Sequence, residues 1–109
     1  MPYEVVLLEP VTDFLQSLES KLQAKAVRAI DLLRHFGPQL PMPHSRKLSG
    51  HDLWELRAKH GSSICRLFYF QHRIFVVTSG YVKKADKTDP EQIRRALRLK
   101  MEYLGGTTQ

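Results

Sequence analysis

The chain has 109 residues, 17 of them Lys or Arg against 11 Asp or Glu, a formal net charge of +6 and a hydrophobic content of 42%. That length supports one core and one domain, read as residues 1–104 with a flexible tail at 105–109, and the apolar content excludes a disordered chain. One cysteine excludes an internal disulfide and fits a cytoplasmic setting, no run approaches the ~18 apolar residues of a membrane span, and the excess basic charge points to a polyanionic partner, nucleic acid or an acidic protein.

Tyr3 to Glu9 reads as a short first strand, stopped by Pro10 and with no basic flank of the signal-peptide kind. Val11, Phe14, Leu15 and Leu18 follow at helical spacing. Ser20 and Gln23 have the spacing of a capping box, so a second helix opens there with Leu22, Ala26, Ile30 and Leu33 on one face. Gly37-Pro38 closes it. The stretch from Gln39 to Gly50 holds Pro41 and Pro43, shows no periodicity and is expected to be a connecting loop. Three strands then follow as an antiparallel meander, at about 52–59, 63–70 and 73–80. Asp89 and Pro90 start a last helix that turns Ile93, Ala96, Leu97, Met101 and Leu104 inward and ends before Gly105.

The predicted order is β-α-α-β-β-β-α, an α+β fold with the helical hairpin and the C-terminal helix on one face of a mainly antiparallel four-stranded sheet. Strand side chains alternate faces, so tight turns sort the meander into two sets. Trp54, Leu56, Ala58, Cys65, Leu67, Tyr69, Ile74, Val76 and Thr78 form an apolar set for the helices. Glu55, Arg57, Lys59, Arg66, Phe68, Phe75, Val77, Ser79 and Tyr81 form the other, expected to be an open face where cations hold phosphates and rings stack bases. An even loop between Lys59 and Ile64 sets Arg57 directly opposite Arg66. Like charges so placed repel, which points to an anion between them.

Three segments carry a family resemblance: Lys47-Leu-Ser-Gly-His-Asp-Leu-Trp-Glu-Leu-Arg57, Cys65-Arg-Leu-Phe-Tyr-Phe70, and Gly80-Tyr-Val-Lys-Lys-Ala-Asp-Lys-Thr-Asp-Pro90. In this order they resemble motifs of the RelE/ParE toxin superfamily, nearest its phage-derived, HigB-like branch. The resemblance implies the toxin of a type II toxin–antitoxin pair, neutralised by a helix-turn-helix antitoxin in a hetero-oligomer. It implies a metal-independent endoribonuclease, without cofactor, that cuts mRNA on the ribosome. There a ribose 2′-hydroxyl attacks the adjacent phosphate to leave a 2′,3′-cyclic phosphate. A gyrase poison of the ParE kind and an inactive RNA- or protein-binding relative are the alternatives on the same fold.

Residue by residue, the resemblance gives Arg66 the stabilisation of the phosphorane, with Arg57 assisting, and Lys83, Lys84 and Lys87 the neighbouring phosphates; Lys59 adds charge beside them. Tyr81 stands where the branch often has Phe, and joins Glu55, His60 and a lysine of lowered pKa as an open choice of general base. Cys65 replaces the usual Tyr, and Ala85-Asp86 the commoner Thr-Gln. Against these roles stand ordinary ones. Arginine stems cover apolar surface, Glu55 can neutralise Arg57, and a lysine run before a helix is by default a solvated turn. Trp54 and Cys65 are expected in the core, and His44, His51, His60 and His72 in or beside loops.

Overall fold

The computed structural model describes residues 2–41, 43–84 and 87–105. Its first strand, β1 (Val5–Leu7), leads directly into helix α1 (Glu9–Ser17), whose first turn holds Pro10. Proline lacks only an N–H that a helix start leaves unpaired, so it opens this helix rather than merely ending the strand. Helix α2 (Ser20–Phe36) begins one residue earlier in its capping than the Ser20 pattern suggests: the Glu19 carboxylate accepts the Leu22 N–H at 2.7 Å, while Gln23 donates to the Leu15 carbonyl at 2.7 Å. Gly37, at φ 59°, ends α2 in a conformation that side chains resist.

The segment expected to be a loop is more ordered than its prolines suggest. It forms a 3-10 turn (Gly37–Gln39) and a short strand β2 (Ser45–Lys47) and buries Leu40 and Leu48. Strands β3 (Trp54–His60), β4 (Ser63–His72) and β5 (Ile74–Lys83) follow, then helix α3 (Pro90–Gly105). The α+β class and the order of the predicted elements hold, with a fifth strand added. The sheet runs β1-β5-β4-β3-β2, antiparallel except where β1 lies parallel to β5. The rest of the expected tail, residues 106–109, lies outside the described residues.

Both faces of this sheet are covered. The larger core joins Val11, Leu15, Leu22, Ala26, Ile30 and Leu33 of α1 and α2 to Leu56, Ala58, Cys65, Leu67 and Tyr69. A second cluster, Leu48, Leu53, Phe68 and Ala96 with Tyr81, Ile93 and Leu97 packed on it, seats α3 on the opposite face. The expectation of all helices on one side is corrected accordingly. α1 and α2 already fill that side, and α3's apolar stripe buries itself on what was read as an open surface. Lys100 pins the helix further along, donating to the Asp52 carbonyl at 2.7 Å and lying over the Phe70 ring at 5.2 Å. Met101 and Leu104, expected inward, are exposed at 70% and 37%.

A register shift between Phe68 and Tyr69 revises the face assignment of β5. Phe68 pairs with Ser79 but Tyr69 with Val77, so Thr78 is an extra residue. Phe75 and Val77 therefore join the larger core, not the second face, and Ile74 and Val76 take the other side by alternation. Beyond the bulge Ser79 and Tyr81 fall where the simple alternation puts them. Among the described residues no helix is long and apolar enough to cross a membrane.

Candidate nucleic-acid interface

Turn geometry sets the site. β3 and β4 are joined through Gly61 and Ser62, with His60 paired to Ser63 and Gly61 at φ 61°. Arg57 then lies directly opposite Arg66, as the loop count predicts, and Arg66 pairs with Tyr81 on β5. One row nearer the turn, Ile64 has Lys59 on one side and Lys83 on the other. Arg57, Lys59 and Lys83 thus share one face at the hairpin end of the sheet. Lys84 and Lys87, both exposed, continue the positive charge in the connection to α3. Residues 85 and 86 of that connection lie outside the described residues.

Arg66 is not on an open face. It is wholly buried, and its Nη1 donates to Glu55 Oε2 at 2.8 Å and to Thr88 Oγ1 at 3.3 Å. Glu55, equally buried, also accepts from Arg46 Nη2 at 3.0 Å and from Thr88 Oγ1, which lies 3.1 and 3.0 Å from its two oxygens. Arg46 Nη2 reaches Thr88 Oγ1 as well, at 3.2 Å. The Glu55 carboxylate is thus compensated by two guanidiniums and a hydroxyl, which offsets the cost of taking its charge out of water. Phe68 is core here, not a stacking platform. The expectation that Arg66 and Phe68 face solvent fails because α3 and Thr88 cover them.

Tyr81 ties this network to the lysines. Its ring stacks on Phe68 at 5.9 Å, and its hydroxyl accepts the Asp89 N–H at 2.7 Å. Asp89 in turn caps α3 by accepting the Glu91 N–H at 2.9 Å. Thr88 and Asp89 are therefore held from β3, β4 and β5, which fixes one end of the lysine connection. Burial pushes the Tyr81 phenol above its ordinary pKa, opposed more weakly by the Asp89 hydrogen bond. A phenol so shifted is protonated at neutral pH. It suits a proton donor better than a base.

Burial of Cys65 pushes its thiol up to about 12, so this side chain is a core residue with no nucleophilic thiolate. Trp54 is partly buried, stacked at 6.2 Å on Tyr69. His60 sits half-buried at the turn. Among the described residues no three His, Cys, Asp or Glu side chains gather as metal ligands. Sequence reasoning missed Arg46 and Thr88. Glu55 stood on the right face beside the arginines, but its partners come from β2 and from the connection to α3, which no local pattern brings together.

A five-stranded sheet covered by a helical pair on one face and a single helix on the other defines the RelE-like fold. A mutant of the E. coli toxin RelE in the free state matches with a TM-score of 0.64 and 19% identity, over 90% of this chain and 97% of that one. The archaeal RelE–RelB complex from Pyrococcus horikoshii OT3 matches with a TM-score of 0.54 and 22% identity, over 81% of this chain and 100% of that one. No curated protein matches the chain. The family model "Phage derived protein Gp49-like (DUF891)" matches residues 13–101, and the chain belongs to that family.

Proposed function

We propose that this chain is the toxin of a toxin–antitoxin pair and cuts mRNA on the ribosome as an endoribonuclease. The observation that carries the reading is the gathering of Arg57, Lys59 and Lys83 on one face of a RelE-like sheet, with Lys84 and Lys87 beside them. The archaeal structure, a RelE–RelB complex, supports a protein partner that neutralises it; the resemblance makes that partner a helix-turn-helix antitoxin.

The reaction assigned to this site is attack of a ribose 2′-hydroxyl on the adjacent phosphorus, its proton passing to water as the new P–O bond forms. The bond to the 5′-oxygen breaks, and the products are a 2′,3′-cyclic phosphate and a 5′-hydroxyl. Half-exposed Arg57 is the guanidinium best placed to meet the charge that develops on the phosphorane. Lys59, Lys83, Lys84 and Lys87 hold flanking phosphates, and Tyr81 supplies the proton for the leaving oxygen. Arg66 is assigned as a positioning residue: through Glu55 and Thr88 it fixes the start of α3 and the lysines before it.

Brief induction without a partner, followed by growth measurement and primer extension on cellular messages, tests the reading. Arrest with discrete cuts in translated mRNA is expected. Arrest with intact messages and broken DNA would assign gyrase as the target instead.

A further inference from the structure

A hollow of about 170 Å³ lies between the 3-10 turn after α2 and the end of the sheet farthest from the charged row. Pro38, Leu40 and Pro41 make one wall of it, and the rings of Trp54, Tyr69 and Phe75 make the other. Tyr69 is the hub of that second wall: Trp54 stacks on it at 6.2 Å, and Phe75 meets it edge-on at 5.8 Å. Ser45 and Lys47 turn the same way from β2, because strand side chains two apart share a face, and both line the hollow. Arg46 between them serves the other side, where it reaches Glu55.

We propose that this hollow is a binding site for a one-ring aromatic acid that also carries a ring oxygen, such as a hydroxybenzoate. Size sets the first limit. An engineered cavity of ~150 Å³ admits benzene, so about 170 Å³ takes one six-membered ring and not a fused pair. Three rings along one wall favour an aromatic occupant, through offset and edge contacts. Lys47 supplies the charge. Its ammonium lies 5.6 Å from the Trp54 ring centroid, and among the described residues no Asp or Glu pairs with it or lines the hollow. The ring oxygen follows from Ser45 and Tyr69, which are 6% and 4% exposed and hydrogen-bond to each other through their hydroxyls. That bond uses one of two hydroxyl hydrogens, and no acceptor among the described residues takes the other. Burial raises the Tyr69 phenol above its ordinary pKa, so its proton stays in place. A buried donor of this kind calls for an acceptor. The opposite wall disfavours a nucleobase. Its prolines carry no N–H, and the Leu40 N–H is spent on the Gly37 carbonyl at 3.1 Å, so a base's ring acceptors would find no donor there. None of these residues is among the cations assigned to the phosphate, so the site stands apart from the toxin reading.

The chain has a single tryptophan, so its indole N–H signal in NMR reports Trp54 alone. Titrated with 4-hydroxybenzoate, the isotope-labelled protein should show saturable shifts at Trp54, at 38–41, at 45–47 and at 69–75. A Kd on the order of 1 mM or below is expected of so small a ligand. Benzoate, which lacks the ring oxygen, should bind about fivefold more weakly. Lys47→Gln, at an exposed position, should weaken both acids equally, by about threefold to fivefold. The double variant S45A/Y69F removes both hydroxyls and keeps the shape, and it should bind the two acids alike. Saturable shifts absent from Trp54, or mapping elsewhere, would overturn the proposal. A preference for 4-hydroxybenzoate that persists in the folded double variant would do the same. Lys47→Gln leaves the core untouched, so unchanged affinity there overturns the proposal whether or not the double variant folds. Cytidine 5′-monophosphate should not compete; if it displaces the acid from the hollow, the site is an RNA subsite and the proposal fails.

Discussion

Glu55 and Arg66 pair at 2.8 Å with neither side chain exposed to solvent. Removing one member of such a pair leaves the other charged and buried, which typically costs about 3–5 kcal/mol. Glu55 keeps Arg46 and Thr88 as partners, so Arg66→Ala is expected to lower the unfolding free energy from urea titration by up to that amount, and any loss of activity will accompany loss of fold. Thr88→Val, which deletes only the hydroxyl at Glu55, should cost about 1–3 kcal/mol. An unfolding free energy for Arg66→Ala within about 1 kcal/mol of wild type would return Arg66 to the exposed phosphate-binding role that the sequence suggested.

The lysines before α3 separate anchoring from chemistry. Changing Lys83, Lys84 and Lys87 together to Ala should weaken binding to single-stranded RNA and lower its log–log salt slope by about 2, the loss of three phosphate contacts. Cleavage at saturating ribosome concentration should change much less. If binding holds and cleavage collapses, one of these ammonium groups takes part in proton transfer.

The proposed dependence on the ribosome is tested with free RNA. Among the described residues Glu55 is sealed by its partners and Tyr81 is held protonated by burial, so neither serves as a ready base. Free RNA should be cleaved slowly, and addition of translating ribosomes should accelerate cleavage by orders of magnitude through positioning. Rapid cutting of naked RNA by purified protein at physiological salt would mean that the chain supplies its own base.

Alkaline stability reports the core directly. Cys65 is raised from 9.0 to about 12 by burial, so between those values the unfolded chain has released a proton that the folded chain keeps. Stability should be fully present below pH 9 and fall as pH rises, by about 1.4 kcal/mol per unit for this group. Tyr69 and Tyr81, also raised by burial, act in the same direction above 10. Cys65→Ala should flatten the slope between pH 9 and 10 in urea unfolding. An identical slope in the variant would place the alkaline transition elsewhere.

Local signals in the sequence were reliable wherever one element decides its own form. The α2 stripe, the Asp89-Pro90 helix start and the Arg57–Arg66 pairing all follow from spacing within a helix or across one turn. What escaped was decided between elements. Amphipathicity told that α3 buries Ile93, Ala96 and Leu97, but not which side of the sheet receives them. That one choice converts Arg66 and Phe68 from surface to core. β2 was hidden because three residues flanked by prolines carry no period, and Thr88 because its partner Glu55 lies 33 positions away.

The extra residue at Thr78 gives β5 two reading frames. Up to Val77 the odd positions belong to α1 and α2; from Ser79 onward the odd positions belong to α3. A point substitution at Thr78 disturbs one site, and deleting it would close the bulge, because Ser79 would then follow Val77 directly and every downstream residue would keep its present face and partner. A chain lacking Thr78 should therefore keep the charged row, with Lys83 and Lys59 still flanking Ile64.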